Sequence, residues 1–306
     1  MNKVDSRNYD MEKHKCQRLT SGLAKLGGKV ITRISARPFS VSDNPNCVQS
    51  IPNFAKPPGC YLQSGGSEVG NEVEKMNTSK TTTFSNDQMV EIPGGKIELR
   101  DDRTKKKWTV TIEPFLLAKY PVTQDFYFEV TKDTPSIFKG GRRPVETVSW
   151  KEAVIFCNSL SVKSGLKSCY SFSEEKEEIF FDPKANGFRL PTEAEWEYAC
   201  KAGTSEVRYG ELDLIAWYKD NSELTTHNVG QKEPNGWGLY DMLGNVWEWC
   251  SDLYDAEMYG TYRIFRGGGW SDEARCVMAT TRRRSHPLKF KIEDLGFRIA
   301  RNNKNK

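Results

Sequence analysis

Two carboxylates seven residues apart, Asp241 and Glu248, lie inside the run NGWGLYDMLGNVWEW at positions 235–249. Gly236, Gly238 and Gly244 can take positive φ or let another strand approach closely, so the backbone between the carboxylates turns tightly and directs its carbonyls outward. Carboxylate and carbonyl oxygens held in that way suit a hard cation such as Ca²⁺. The same residues also allow a plainer arrangement, with Asp241 capping a turn and Glu248 paired with a nearby arginine. In both cases Trp237, Trp247 and Trp249 anchor the path by burying large rings around it.

The other chemistry-bearing residues are dispersed. Eight cysteines (Cys16, Cys47, Cys60, Cys157, Cys169, Cys200, Cys250 and Cys276) show no CxxC spacing, and His14, His227 and His286 are far apart, so a zinc site is not supported. Lysine and arginine total 45 against 41 acidic residues, a net charge of +4 that is too small and too scattered to indicate nucleic acid. No apolar run approaches the roughly 18 residues of a membrane span, and the first thirty residues lack the apolar core of a signal peptide. A cytoplasmic location with reduced thiols is the expectation. With 37% hydrophobic and 28% charged residues in a chain of 306, the composition is that of a soluble globular protein with a sizeable core.

Residues 1–85 have little periodicity and end in the Gly, Ser, Thr and Asn-rich run SGGSEVGNEVEKMNTSKTTTFSND; they read as a poorly structured segment and linker ahead of a domain at 86–306. That domain opens with MVEIPGGKIEL, read as two strands about a Pro-Gly-Gly turn, followed by KKKWTVTIEPFLLAKYPVT as a further strand. Thr123 caps a helix to Val130. Ser149 caps a stronger one with Ala153, Phe156, Cys157 and Leu160 on one face and Gly165 as its stop. LKSCYSF and EEIFFDP are short strands about an acidic turn. Pro191-Thr192 opens a helix that turns Trp196, Ala199 and Cys200 inward, with Glu193, Glu195 and Glu197 complementing its dipole. YRIFRGGGWSD supplies a strand broken by glycines, and LGFRIAR a last amphipathic strand. Few helices among short strands and long loops predict an α+β fold whose loops carry function.

The blocks FRLPTEAEWEYACKAG, NGWGLYDMLGNVWEW, RGGGW and LGFRIAR occur in the order of the formylglycine-generating enzyme, or sulfatase-modifying factor, family; MVEIPGG and AKYPVTQDFY resemble its opening. The resemblance runs from about Met89 to Arg301. It implies a variant of the C-type lectin fold with two main helices, short irregular strands and long loops. It also implies a structural calcium ion on Asp241, Gly244, Val246 and Glu248.

The family's oxidases hold copper with two cysteines five residues apart, just after the RGGS-aromatic block. Counted from Arg266-Gly267-Gly268, those positions are Asp272 and Val277 here, neither of which is a thiol. Cys276 stands one residue short of the second, and a single thiol cannot build a two-coordinate Cu(I) site. A branch that makes thiohistidines on a three-histidine iron site would need imidazoles that this chain does not cluster. A third branch, which includes retroelement-diversified variable proteins, displays binding side chains from its final loops. The expectation is accordingly a domain that binds a protein or small-molecule ligand through residues 270–290, using Trp270, Ser271, Asp272, Arg275, Arg282 and Arg284 as an adaptable polar face. The alternative is a metal-dependent oxidase with a rearranged copper site at Cys276. Arg275, Arg298 and one or more of Arg282, Arg283 and Arg284 also suit structural ion pairs with core carboxylates such as Glu248.

Overall fold

The computed structural model describes residues 88–173 and 178–303, so the reading of residues 1–85 lies outside the described residues. Its three longer helices start where capping chemistry is written. Helix α1 (Gln124–Thr131) begins at Thr123, whose hydroxyl accepts from the Phe126 amide, and ends at Lys132 in the left-handed region. Helix α2 (Trp150–Lys163) has a full capping box between Ser149 and Glu152 and buries Ala153, Phe156, Cys157 and Leu160 as expected. Gly165 follows at φ +67°. Helix α3 (Glu193–Lys201) repeats the box with Thr192 and Glu195, and buries Trp196, Ala199 and Cys200. Two single-turn helices, α4 (Leu212–Ile215) and α5 (Ala256–Tyr259), complete the set longer than one 3₁₀ turn among the described residues. None of these helices is long and apolar enough to cross a membrane.

Twelve short strands form two four-stranded sheets and two hairpins among the described residues. The first sheet has the order β1 (Met89–Ile92), β4 (Phe115–Ala118), β12 (Ala300–Asn302), β7 (Phe188–Arg189), all antiparallel. The second has β10 (Arg282–Ser285), β9 (Arg263–Arg266), β8 (Trp247–Leu253) and β11 (Leu295–Gly296), the last pair parallel. The hairpins are β2 (Gly95–Asp101) with β3 (Lys106–Ile112), and β5 (Tyr170–Ser173) with β6 (Glu178–Phe181).

Two strand readings are corrected here. The first two strands do not pair with each other: Pro93-Gly94 passes the chain from one sheet to the next, and β1 pairs with β4, Met89 opposite Ala118. A side chain on Gly95 would meet the Tyr198 hydroxyl at 2.2 Å, so the glycine there serves close packing against α3. The segment read as one strand through Pro121 divides at Glu113-Pro114 into β3 and β4, which belong to different sheets. LGFRIAR is likewise two short strands, not one amphipathic strand. Every residue from Leu295 to Ala300 is buried, because the segment passes through the interior from one sheet to the other.

The alternation along β8 divides the core. Trp247 and Trp249 pack edge-on against Phe265 at 5.3 and 5.2 Å, beneath α2 with Phe156 and Phe297. Cys250 faces the opposite way, into the cluster of Trp196, Leu239, Ile264 and Val277 beneath α3. Glu248 shares that second face and is 1% exposed.

Candidate functional site

Glu248 meets a guanidinium in the interior. Its Oε2 accepts from Arg298 Nε at 2.6 Å and from the Trp196 indole N–H at 2.6 Å, while Oε1 accepts from Arg298 Nη2 at 2.7 Å. Arg298 is fully buried and also donates to the carbonyls of Ala118, Tyr240 and Asp241, tying β4, the central turn and β8 together. This bidentate geometry is the strong form of a charge pair. Asp241 occupies the left-handed region at φ +53°, and its Oδ2 accepts from the Gly230 amide at 2.7 Å. Burial pushes its carboxyl up to about 6. Gly244, at φ +76°, brings its α-carbon so close to Trp217 that a Cβ would lie 2.3 Å from the Trp217 carbonyl. Val246 is buried beside it.

The four residues assigned to calcium thus follow one another along the turn into β8, with Glu248 paired to an arginine as in the plainer of the two arrangements that the residues allow. Three N–H donors take three of the roughly four acceptor sites of the Glu248 carboxylate, two on Oε2 and one on Oε1. A divalent cation held by this donor set would have to displace the Arg298 fork from Glu248.

The six residues expected to form a binding face separate into two groups. Trp270 is 8% exposed, packs edge-on to Phe138 at 5.2 Å, and donates to the Glu293 carbonyl. The Ser271 hydroxyl donates to Asp294 at 2.7 Å. Asp272 is a buried acceptor: Oδ2 takes the Trp247 indole N–H at 2.5 Å and the Gly269 amide at 2.9 Å, and Oδ1 takes Arg283 at 2.9 Å. These three residues hold the loop to the core. Arg275 is solvent-exposed and bridges Glu273. Arg282 places its fork on Glu193, at 2.5 and 2.8 Å, and reaches Asp101 at 3.3 Å. Arg284 stacks between Tyr254 and Tyr259, its carbon 4.6 and 3.7 Å from their ring centres, and makes no ion pair among the described residues. Its buried Nε has no hydrogen-bond partner among the described residues.

Of the arginines expected to reach Glu248, it is Arg298 that does; Arg282 and Arg283 go to Glu193 and Asp272. Glu193 and Glu197 do more than complement a helix dipole, since both pair with the fully buried Arg266. Arg282 also lines a cleft of about 930 Å³ between the β2–β3 hairpin, the start of α3 and the β8–α5 turn. Trp108, Asp252 and Tyr254 share that wall and were not singled out from the sequence, because the segments contributing them are distant in the chain and carry no common motif. The Asp252 Oδ2 accepts from the Glu193 amide at 2.6 Å, and burial, reinforced by the charges of Glu193 and Glu195, pushes the carboxyl up to about 6.

None of the five cysteines among the described residues is in a disulfide bond. Burial pushes the thiols of Cys157, Cys200 and Cys250 upward, so they behave as small packed hydrophobes. Cys276 is half-buried, with its sulfur 3.7 Å from Arg283. Val277 is fully buried. His227 stacks on Trp217 at 3.8 Å, whereas the ring nearest His286 is that of Tyr262 at 6.0 Å. Among the described residues no three His, Cys, Asp or Glu side chains are grouped to hold a metal.

Residues 74–303 match the model of the sulfatase-modifying factor enzyme 1-like domain. The chain is 35% identical over 257 residues to the chaperone protein LppX of Paenibacillus barcinonensis, covering 72% of this chain and 89% of that protein. It is 26% identical to the inactive C-alpha-formylglycine-generating enzyme 2 of Bos taurus, covering 69% of this chain and 87% of that protein. Among solved structures, Treponema denticola variable protein 1 superposes with a TM-score of 0.63 at 33% identity, covering 70% of this chain and 95% of that one. The few helices, short strands and long connections have the architecture of such neighbours, and the chain belongs to the family of sulfatase-modifying factor enzyme 1-like domains.

Proposed function

We propose that the chain is a binding domain of this family rather than an oxidase, engaging a protein or small-molecule ligand through residues 270–290. The observation that carries this reading is the pair of positions where the resemblance puts the oxidase thiols. Asp272 there is a buried acceptor for Trp247, Gly269 and Arg283, and Val277 is part of the core. Copper chemistry of the family's kind requires two thiolates facing each other, and Cys276 is instead a lone thiol beside a guanidinium. The names of two relatives, an inactive enzyme and a chaperone, agree with binding without turnover.

The face that remains for a ligand is built from Arg275, Arg282 and Arg284, with Trp270, Ser271 and Asp272 fixing the loop behind it. Incubating the Cu(I)-treated protein with a cysteine-containing peptide and recording dissolved oxygen tests the reading. No uptake above that of the peptide and copper alone is expected. Peptide-dependent uptake that disappears in Cys276→Ser would overturn it and restore the oxidase.

A further inference from the structure

We propose that the cleft beside α3 docks a basic segment of a protein partner, flanked by apolar residues, with its cationic side chain against Asp252. The inference rests on the binding reading above and names a second contact region, which shares only Arg282 with the 270–290 loops.

Charge complementarity carries it. Five carboxylates and three cations line the cleft. Two of the cations are already satisfied: Arg103 bridges Asp255 at 2.9 Å, and Arg282 bridges Glu193 and Asp101. The third, Lys106, is exposed at the start of β3. Asp252 and Glu257 take part in no ion pair among the described residues. Asp252 is half-buried, with Oδ2 accepting from the Glu193 amide at 2.6 Å and the Ser251 hydroxyl at 3.4 Å, and Oδ1 without a hydrogen bond among the described residues. A half-buried carboxylate with acidic neighbours is relieved by an incoming cation, which restores the compensation lost with its hydration. A carboxylate or phosphate ligand would instead meet the negative charge of Asp252 and Glu257, which no ion pair neutralises among the described residues.

The rim indicates what flanks the cation. Leu253, at the end of β8, is 42% exposed, and Met258, in α5, is 60% exposed, so apolar side chains flanking the cation would have apolar surface to cover. The cleft of about 930 Å³ accommodates several side chains of an extended segment.

Fluorescence anisotropy of the full chain tests this with two labelled hexapeptides, one with two central arginines flanked by leucines and one with glutamates in their place. The arginine peptide is expected to bind at least about tenfold more tightly than its counterpart, and to weaken as salt is raised. Asp252→Asn, which keeps the shape and the acceptor for the Glu193 amide, should weaken arginine-peptide binding about tenfold. Glu257→Lys, an exposed change that leaves the fold alone, should weaken it severalfold and decides the matter if Asp252→Asn does not fold. Equal affinity for the two peptides, no binding at about 1 mM, or unchanged binding by folded Asp252→Asn and by Glu257→Lys would overturn the inference. Those results leave the binding reading intact, whereas peptide-dependent oxygen uptake abolished by Cys276→Ser refutes that reading itself.

Discussion

Replacing Glu248 by alanine removes the carboxylate from a site where its partners cannot reach water. Arg298 is fully buried, and the Trp196 indole donates to the same Oε2. Removing one member of a buried ion pair costs about 3–5 kcal/mol, and an orphaned indole N–H costs about 1–3 kcal/mol more. Arg298 keeps its carbonyl acceptors on Ala118, Tyr240 and Asp241, which moves the sum toward the low end. A loss of about 4 kcal/mol is therefore expected, read as a fall of roughly 8–16 °C in Tm for a domain of this size. Urea unfolding followed by tryptophan fluorescence measures it, and the Glu248→Met, Arg298→Met double variant should recover most of the loss, because it leaves no unpaired charge. A single-variant loss below about 1 kcal/mol, or a double variant no better than the single, would refute the account of Glu248 and Arg298 as the bond between the sheets. The same melts in calcium and in chelator address the metal. With Arg298 filling the Glu248 oxygens the two midpoints should coincide; a chelator-sensitive Tm that vanishes in Glu248→Ala would show calcium displacing the arginine.

Trp247→Ala should cost about 3–5 kcal/mol, since the ring is fully buried against Phe265 and its indole N–H holds Asp272; full stability in the variant would place the ring outside the core. Stability should also rise as pH falls from 7 toward 5. Asp241 and Asp252 titrate near 6 when folded, against 3.8 for an ordinary aspartate, so in this window the native state binds more protons than the unfolded one. Glu146, raised by burial, acts in the same direction. Urea midpoints that fall steadily from pH 7 to pH 5, or an Asp252→Asn variant with an undiminished pH slope, would contradict this.

Features set by near neighbours along the chain were readable before any coordinates. The capping boxes Ser149–Glu152 and Thr192–Glu195 span three residues each, so they are legible in the chain alone and mark the true helix starts. The inward faces of α2 and α3 follow from periodicity, and the ordered blocks from FRLPTEAEWEYACKAG to LGFRIAR identify the family. The turn around Asp241 is legible as a tight path, but its residues leave calcium and a salt bridge as equal alternatives. Only the tertiary structure chose Arg298 as the partner of Glu248, paired β1 with β4 across the β2–β3 hairpin, and gathered Asp101, Glu193, Asp252 and Arg282 around one cleft. The physical reason is range. A cap or an apolar stripe is set by residues within a turn or two, whereas the compensation of a buried charge and the partner of a strand depend on which distant segment the packed core brings within about 3 Å.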